Sequence, residues 1–134
     1  MSTPFRCTIV TPEAEVYNEQ VLYASVPAHD GQLGVQHLRA PLLVKLGYGT
    51  LTLTPTHGED HHFYIGGGFA QVKDDVLTIL TEEARPAAEI DLDESKAALS
   101  EALAYQAPTP DDQERKQRDI DRARALVHTK KMRV

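Results

Sequence analysis

An all-β module over residues 1–88, followed by an antiparallel pair of helices over 89–134, is the fold this sequence predicts. Three observations predict it. All eight glycines lie before residue 69, and from Glu89 onward Ala, Leu, Arg, Asp and Glu dominate. The first part is instead rich in Val, Thr, Gly and Tyr, and Pro12, Pro27, Gly31, Gly34, Gly47, Gly49, Pro55 and Gly58 cut it into short runs. The second part is broken only at Pro108 and Pro110. Strand-like runs followed by helix-like runs indicate segregated β and α layers, and the absence of βαβ spacing excludes a nucleotide-binding parallel sheet.

The strand reading rests on nine runs, 5–10, 15–17, 20–26, 33–36, 41–46, 50–54, 61–65, 69–72 and 76–80, rich in β-branched and aromatic residues. Strands this short and close predict a sandwich or barrel. Asp74-Asp75 is a hairpin signal. The helix reading starts at Asp91, with Glu94 three residues on as a capping-box-like pair; Leu92, Leu99 and Leu103 then share a face, and the helix ends near Gln106. Thr109 is the cap of the second helix, Pro110 its first residue, and Asp111 and Asp112 suit its positive end. Ile120, Ala123 and Val127 form its apolar stripe, and Lys130, Lys131 and Arg133 suit its C-terminal end. A short link makes the pair an antiparallel hairpin.

Composition bounds the function. The chain has 134 residues, enough for one core, and a formal net charge of −6, so the chain as a whole is poorly suited to bind nucleic acid or an anionic membrane. No apolar run approaches the ~20 residues of a membrane-spanning helix, so no direct membrane insertion is expected. The opening residues carry neither a basic-then-apolar signal nor an Arg/Ser-rich transit pattern, which makes the cytosol the expected compartment. The single cysteine, Cys7, cannot form an internal disulfide and reads as buried packing.

Few constellations carry chemistry. His57, His61 and His62 with Glu59 and Asp60 have metal-ligand character but read as a polar hairpin tip; no metal is expected. Gly66-Gly67-Gly68 lacks the Lys and Ser/Thr of a phosphate loop and reads as a bulge or bend. Glu82 and Glu83 read as solvent-facing. No Ser/His/Asp or Cys/His arrangement is present, so no catalytic residue is expected. The helices differ in charge: residues 89–106 hold one basic and five acidic residues, and 109–134 hold eight basic and five acidic. Three or four aliphatic side chains at ~1.5–3 kcal/mol each are largely offset by ordering ~20 residues at ~1–2 kcal/mol each. Docking of the second helix is therefore expected to be marginal, which allows a detachable arm with Arg115, Lys116, Arg118, Arg122 and Arg124 as its basic surface, although charge pattern alone favours a solvated helix whose charges confer solubility.

Several motifs in order resemble one family. Ile9-Val10-Thr11-Pro12-Glu13 looks like its first strand and turn. Pro27 to Gly34 has the form P-x-x-x-G-x-x-G, followed by Val35. Ala40-Pro41-Leu42-Leu43 matches an A-P-L element, Gly67-Gly68-Phe69-Ala70-Gln71-Val72 matches G-G-F-x-x-V, and Ala84 through Asp91 matches the join to the hairpin. In this order, over about residues 5–131, they are similar to the ε subunit family of F-type ATP synthases, equivalent to the mitochondrial δ subunit.

The resemblance implies a flattened β-sandwich of about ten strands with a C-terminal helical hairpin. It implies no catalytic activity and no cofactor, but a central-stalk rotor subunit that couples ion-driven rotation of the c-ring to ATP synthesis. The partners implied are the γ subunit, the c-ring and, when the hairpin extends to inhibit ATP hydrolysis, the α/β catalytic head. The location implied is the cytoplasmic face of the bacterial inner membrane, peripheral. Asp30, Gly31, Gln32, Leu33 and Gly34 match the c-ring contact loop, where Gln32 replaces an often acidic residue. Gln36-His37-Leu38-Arg39 stands where the family has L-P-x-H. The five basic residues of the second helix become candidates for docking on the catalytic β subunit. Ile90 and Asp91 match the start of the ATP-binding pattern I/L-D-x-x-R-A, but Glu94 replaces its Arg, so weak or no ATP binding by the isolated chain is expected. The reading that competes with this one is a free-standing β-sandwich that binds or senses a small ligand.

Overall fold

The structure is a computed structural model and describes residues 3–132; Arg133, assigned above to a helix end, lies outside them. Seven strands come first: β1 (Phe5–Val10), β2 (Glu15–Ala28), β3 (Gly31–Val35), β4 (Leu42–Pro55), β5 (His61–Lys73), β6 (Val76–Leu80) and β7 (Ala84–Pro86). A single 3₁₀ turn, Ala87–Glu89, leads to α1 (Leu92–Ala104) and α2 (Pro110–Met132).

The strands form one sheet that closes on itself. The order β1-β6-β5-β4-β2 returns to β1, because β1 pairs parallel with β6 and antiparallel with β2. β3 extends beyond β2, and β7 adds to β5. This corrects the expected sandwich of about ten strands: among the described residues there are seven, in a barrel-like closure. Three expected breaks lie inside long, continuous strands. Residues 15–17 and 20–26 run on as β2, 41–46 and 50–54 as β4, and 61–65 and 69–72 as β5. In the β4–β5 ladder the pairing steps from Leu46↔Gly68 to Tyr48↔Gly66, passing over Gly47 and Gly67. Gly67 and Gly68 have φ of 77° and 105°, so the triple glycine is a bend within a strand rather than its end. Asp74 and Asp75, at φ 52° and 62°, make the left-handed pair of a tight hairpin between β5 and β6.

Alternation along the strands fills the barrel. Cys7 and Ile9, Val21, Leu51 and Leu53, Ile65, and Leu77 and Ile79 are all fully buried. Cys7 is thus core packing, as its apolar strand predicts, and burial pushes its thiol up to about 12.

Both helix starts are built by the predicted caps. Asp91 Oδ1 accepts from the Glu94 amide at 3.0 Å, and Thr109 Oγ1 accepts from the Asp112 amide at 3.1 Å, with Pro110 opening α2. The helices run antiparallel: Ala98 and Glu101 of α1 and Tyr105 just beyond its end share a groove with Arg122, Asp119 and Arg115 of α2. The α1 stripe is thinly covered. Leu92 and Leu99 are half-buried, while Leu103 is 47% exposed, because α1 packs chiefly on α2 and little on the sheet.

Candidate functional site: the seat of the second helix

α2 lies across β4, β5 and the 3₁₀ turn. Its apolar seat is small: Ala125 and Leu126 pack with Tyr64 and Ile90 in a cluster separate from the barrel core. Of the expected stripe, Ile120 and Ala123 are buried and Val127 is half-buried. Polar ties complete the seat. Arg122 donates from Nε to Glu83 Oε1 at 3.0 Å and from Nη2 to Glu83 Oε2 at 2.9 Å, with its guanidinium 5.9 Å from the Tyr64 ring centroid. Lys130 Nζ donates to the Ala87 carbonyl at 3.2 Å. Thr129, fully buried, donates to the Ala125 carbonyl at 2.8 Å and meets the Thr50 hydroxyl at 2.7 Å; His128 Nδ1 is 3.1 Å from the same Thr50 oxygen.

Glu83 is not solvent-facing, as its sequence context indicated. Its side chain is 29% exposed and held also by Arg85 at 2.8 Å. Burial raises its carboxyl, but the hydrogen bonds and charge of Arg122, then of Arg85, outweigh burial and hold it below the usual carboxylate range. The bond to Glu83 in turn raises the Arg122 guanidinium.

The five basic residues of α2 therefore divide. Arg122 is engaged with Glu83, and Lys116 Nζ donates to the Tyr105 carbonyl at 2.7 Å at the end of α1. Arg115, Arg118 and Arg124 are exposed. Ile90 is buried beneath α2, and Asp91 is occupied in capping α1.

Of the residues expected to form a contact loop, only Asp30 lies in the turn between β2 and β3; Gly31, with φ 138°, Gln32, Leu33 and Gly34 belong to β3 and pair with β2, so the expected loop is the end of a hairpin. A side chain at Gly34 would collide with the Tyr23 hydroxyl, so glycine here lets the ring lie across β3. Gln32 Nε2 donates to Ser25 Oγ at 2.7 Å and, more weakly, to the Thr50 carbonyl at 3.4 Å. The following 36–40 segment, which departs from the family pattern, is pinned from the β5–β6 turn: His37 Nδ1 lies 2.6 Å from Asp75 Oδ2, and the Leu38 amide donates to Asp75 Oδ1 at 2.8 Å. This holds Leu38 outward at φ 63° and 76% exposed.

The histidines at the β4–β5 tip take separate partners. His61 stacks edge-on to Tyr17, and His62 Nδ1 meets Thr52 Oγ1 at 3.0 Å. Among the described residues no group of three or more His, Cys, Asp or Glu is placed to hold a metal ion. Thr50, Thr129 and Glu83 are the members of the seat that sequence reasoning missed.

The fold is a small closed sheet carrying a two-helix hairpin seated on it largely by polar ties. Residues 4–87 match the family described as ATP synthase, Delta/Epsilon chain, beta-sandwich domain. The chain is 41% identical over 122 residues to an ATP synthase epsilon chain of Rhodopirellula baltica, covering 91% of this chain and 94% of that one. It is 37% identical over 102 residues to an ATP synthase epsilon chain of Dichelobacter nodosus, covering 76% and 71%. Its fold is similar to a chain of the Euglena gracilis mitochondrial ATP synthase OSCP/F1/c-ring structure, with a TM-score of 0.84, 27% identity and coverage of 92% and 79%. A chain of the Tetrahymena thermophila central stalk/c-ring structure shares the fold alone, with a TM-score of 0.74 and 17% identity. The chain belongs to the ATP synthase delta/epsilon family and is a non-catalytic, central-stalk subunit of that complex.

Proposed function

We propose that this chain couples c-ring rotation to ATP synthesis from the central stalk, and that its hairpin is a releasable brake on ATP hydrolysis. The observation that carries the reading is the seat of α2. A helix of 23 residues rests on two small apolar contacts, one forked ion pair and a hydroxyl network, while Arg115, Arg118 and Arg124 face water. Polar ties of this kind are exchangeable for water at little net cost, so the arm leaves without a large loss of buried apolar area. Once extended, Arg115, Lys116, Arg118, Arg122 and Arg124 all become available to an acidic surface on the catalytic β subunit.

The γ subunit fits a second surface. On the outer face of the sheet Lys45, Phe69 and Leu80 stand side by side across β4, β5 and β6, with Leu43 next to them. Leu43, Phe69 and Leu80 are 66%, 50% and 48% exposed, an apolar strip suited to a protein partner. The 30–34 loop is the c-ring contact in this reading. Similarity to bacterial chains supports a peripheral position on the cytoplasmic face of the inner membrane; no described helix is long and apolar enough to cross a membrane.

The test is ATP hydrolysis by a catalytic head with its γ subunit, given the full chain or a chain ending at Gln106. Inhibition by the full chain alone places the brake in 107–134. Saturable binding of both without inhibition sinks the brake, and binding of neither sinks the stalk reading. Titration of the isolated chain with ATP is expected to show no micromolar affinity, since Glu94 offers an anion where the family pattern has a guanidinium.

A further inference from the structure

The β2–β4 ladder has a gap. Ser25 pairs with Thr52, and the next pairing is Ala28 with Leu46. Pro27 lies in this gap and has no amide to donate, and it packs against Gly49 so closely that a side chain there would come within 2.7 Å of its ring. The Gln32 side chain reaches into the gap from β3: its one amide nitrogen carries two hydrogens, one directed to Ser25 Oγ and one to the Thr50 carbonyl. Thr50 is also the residue that holds α2. Its hydroxyl meets Thr129 Oγ1 and His128 Nδ1. Since Thr129 spends its proton on the Ala125 carbonyl, a consistent arrangement has Thr50 donating to Thr129 and His128 Nδ1–H donating to Thr50. Gln32, Thr50, Arg124 and His128 accordingly line a single groove of about 990 Å³ between the loop and the helix.

We propose that Gln32 is a positioning residue that couples the 30–34 end of the β2–β3 hairpin to the docked arm: its side-chain amide takes the place of the missing ladder bond and fixes the segment of β4 on which Thr129 and His128 rest. This rests on the reading of that loop as the ring contact. A partner that draws Gln32 outward removes its hold on Ser25 and Thr50, and the last turns of α2 lose their rigid platform. Docking of the arm then reports whether the loop is engaged. An acid at this position cannot donate to the Thr50 carbonyl, although Ser25 can turn its hydroxyl to donate to the acid.

Hydrogen exchange of α2 amides in the full chain tests this, with Gln32→Met, Gln32→Glu, Thr50→Val and Thr50→Ser compared with the parent. Thr50→Val is expected to speed exchange over 120–132 by about tenfold and Thr50→Ser to restore it, since one or two hydrogen bonds are at stake. Gln32→Met is expected to speed it about three- to fivefold and Gln32→Glu less, with barrel amides of β1 and β6 unchanged. Unaltered α2 exchange in Gln32→Met beside faster exchange in Thr50→Val overturns the coupling, and so does equal acceleration throughout the barrel. Binding of the same variants to a rotor of γ and c-ring separates the two readings. Faster α2 exchange in Gln32→Met with rotor binding unchanged keeps the coupling and rejects the loop as ring contact.

Discussion

Arg122 of α2 grips both carboxylate oxygens of Glu83, at 3.0 and 2.9 Å, and this fork ties the arm to the loop between β6 and β7. The pair is only partly buried, with side-chain exposures of 37% and 29%, so its strength is that of a well-formed surface bridge, about 0.5–1 kcal/mol. That magnitude suits a latch that must open.

Arg122→Ala is therefore expected to raise the open population of the arm about two- to fivefold, without shifting the melting temperature of the barrel. Because the Glu83 carboxyl is held below its ordinary value, the latch is at full strength above the unfolded carboxylate range. It is lost as pH falls through the lowered value. Arm opening followed by fluorescence against pH should show this fall in the parent and not in Glu83→Gln.

Leu126 is 3% exposed and is the largest aliphatic side chain of α2 in the apolar seat. Leu126→Ala is expected to weaken arm docking by about 2–3 kcal/mol, far more than loss of the latch. Protease cleavage within α2 should accelerate accordingly, with the barrel left intact. Equal cleavage of parent and variant would show that α2 does not rest on this cluster.

Gly68 sits at φ 105°, and a side chain there would run into the Leu80 carbonyl and Thr81. Gly68→Ala is expected to destabilise the barrel by about 3 kcal/mol, lowering its melting temperature by roughly 10 °C. Gly58, at φ 89° with open space around it, should lose about 1 kcal/mol in the same change.

Asp75 holds the 36–40 segment through His37 and the Leu38 amide. The Leu38 hydrogen bond, with smaller help from His37, lowers its carboxyl. The segment should stay ordered above the carboxylate range and loosen as pH falls through the lowered value. Amide exchange at Leu38 is the measurement, and Asp75→Ala should show the fast rate at all pH values.

Local rules made much of the chain legible. Caps at Asp91 and Thr109, the turn at Asp74-Asp75 and the burial of Cys7 each depend on neighbours in sequence. The number of strands was not legible. Gly47 and Gly66-Gly67-Gly68 look like strand ends in the sequence, yet the cross-strand ladder continues past them, and pairing is a long-range property. The arm was half legible: its basic residues are plain in the sequence, but which of them is engaged depended on Glu83, 39 residues away.

The sequence by itself determined the order of layers, the helix boundaries and the family, because these follow from composition, periodicity and motif order. Only the tertiary structure decided that the sheet closes, that Arg122 is latched, and that Gln32 and α2 meet at Thr50. Each of these joins side chains from strands and helices distant in the chain, through hydrogen bonds whose geometry exists only once the barrel has closed.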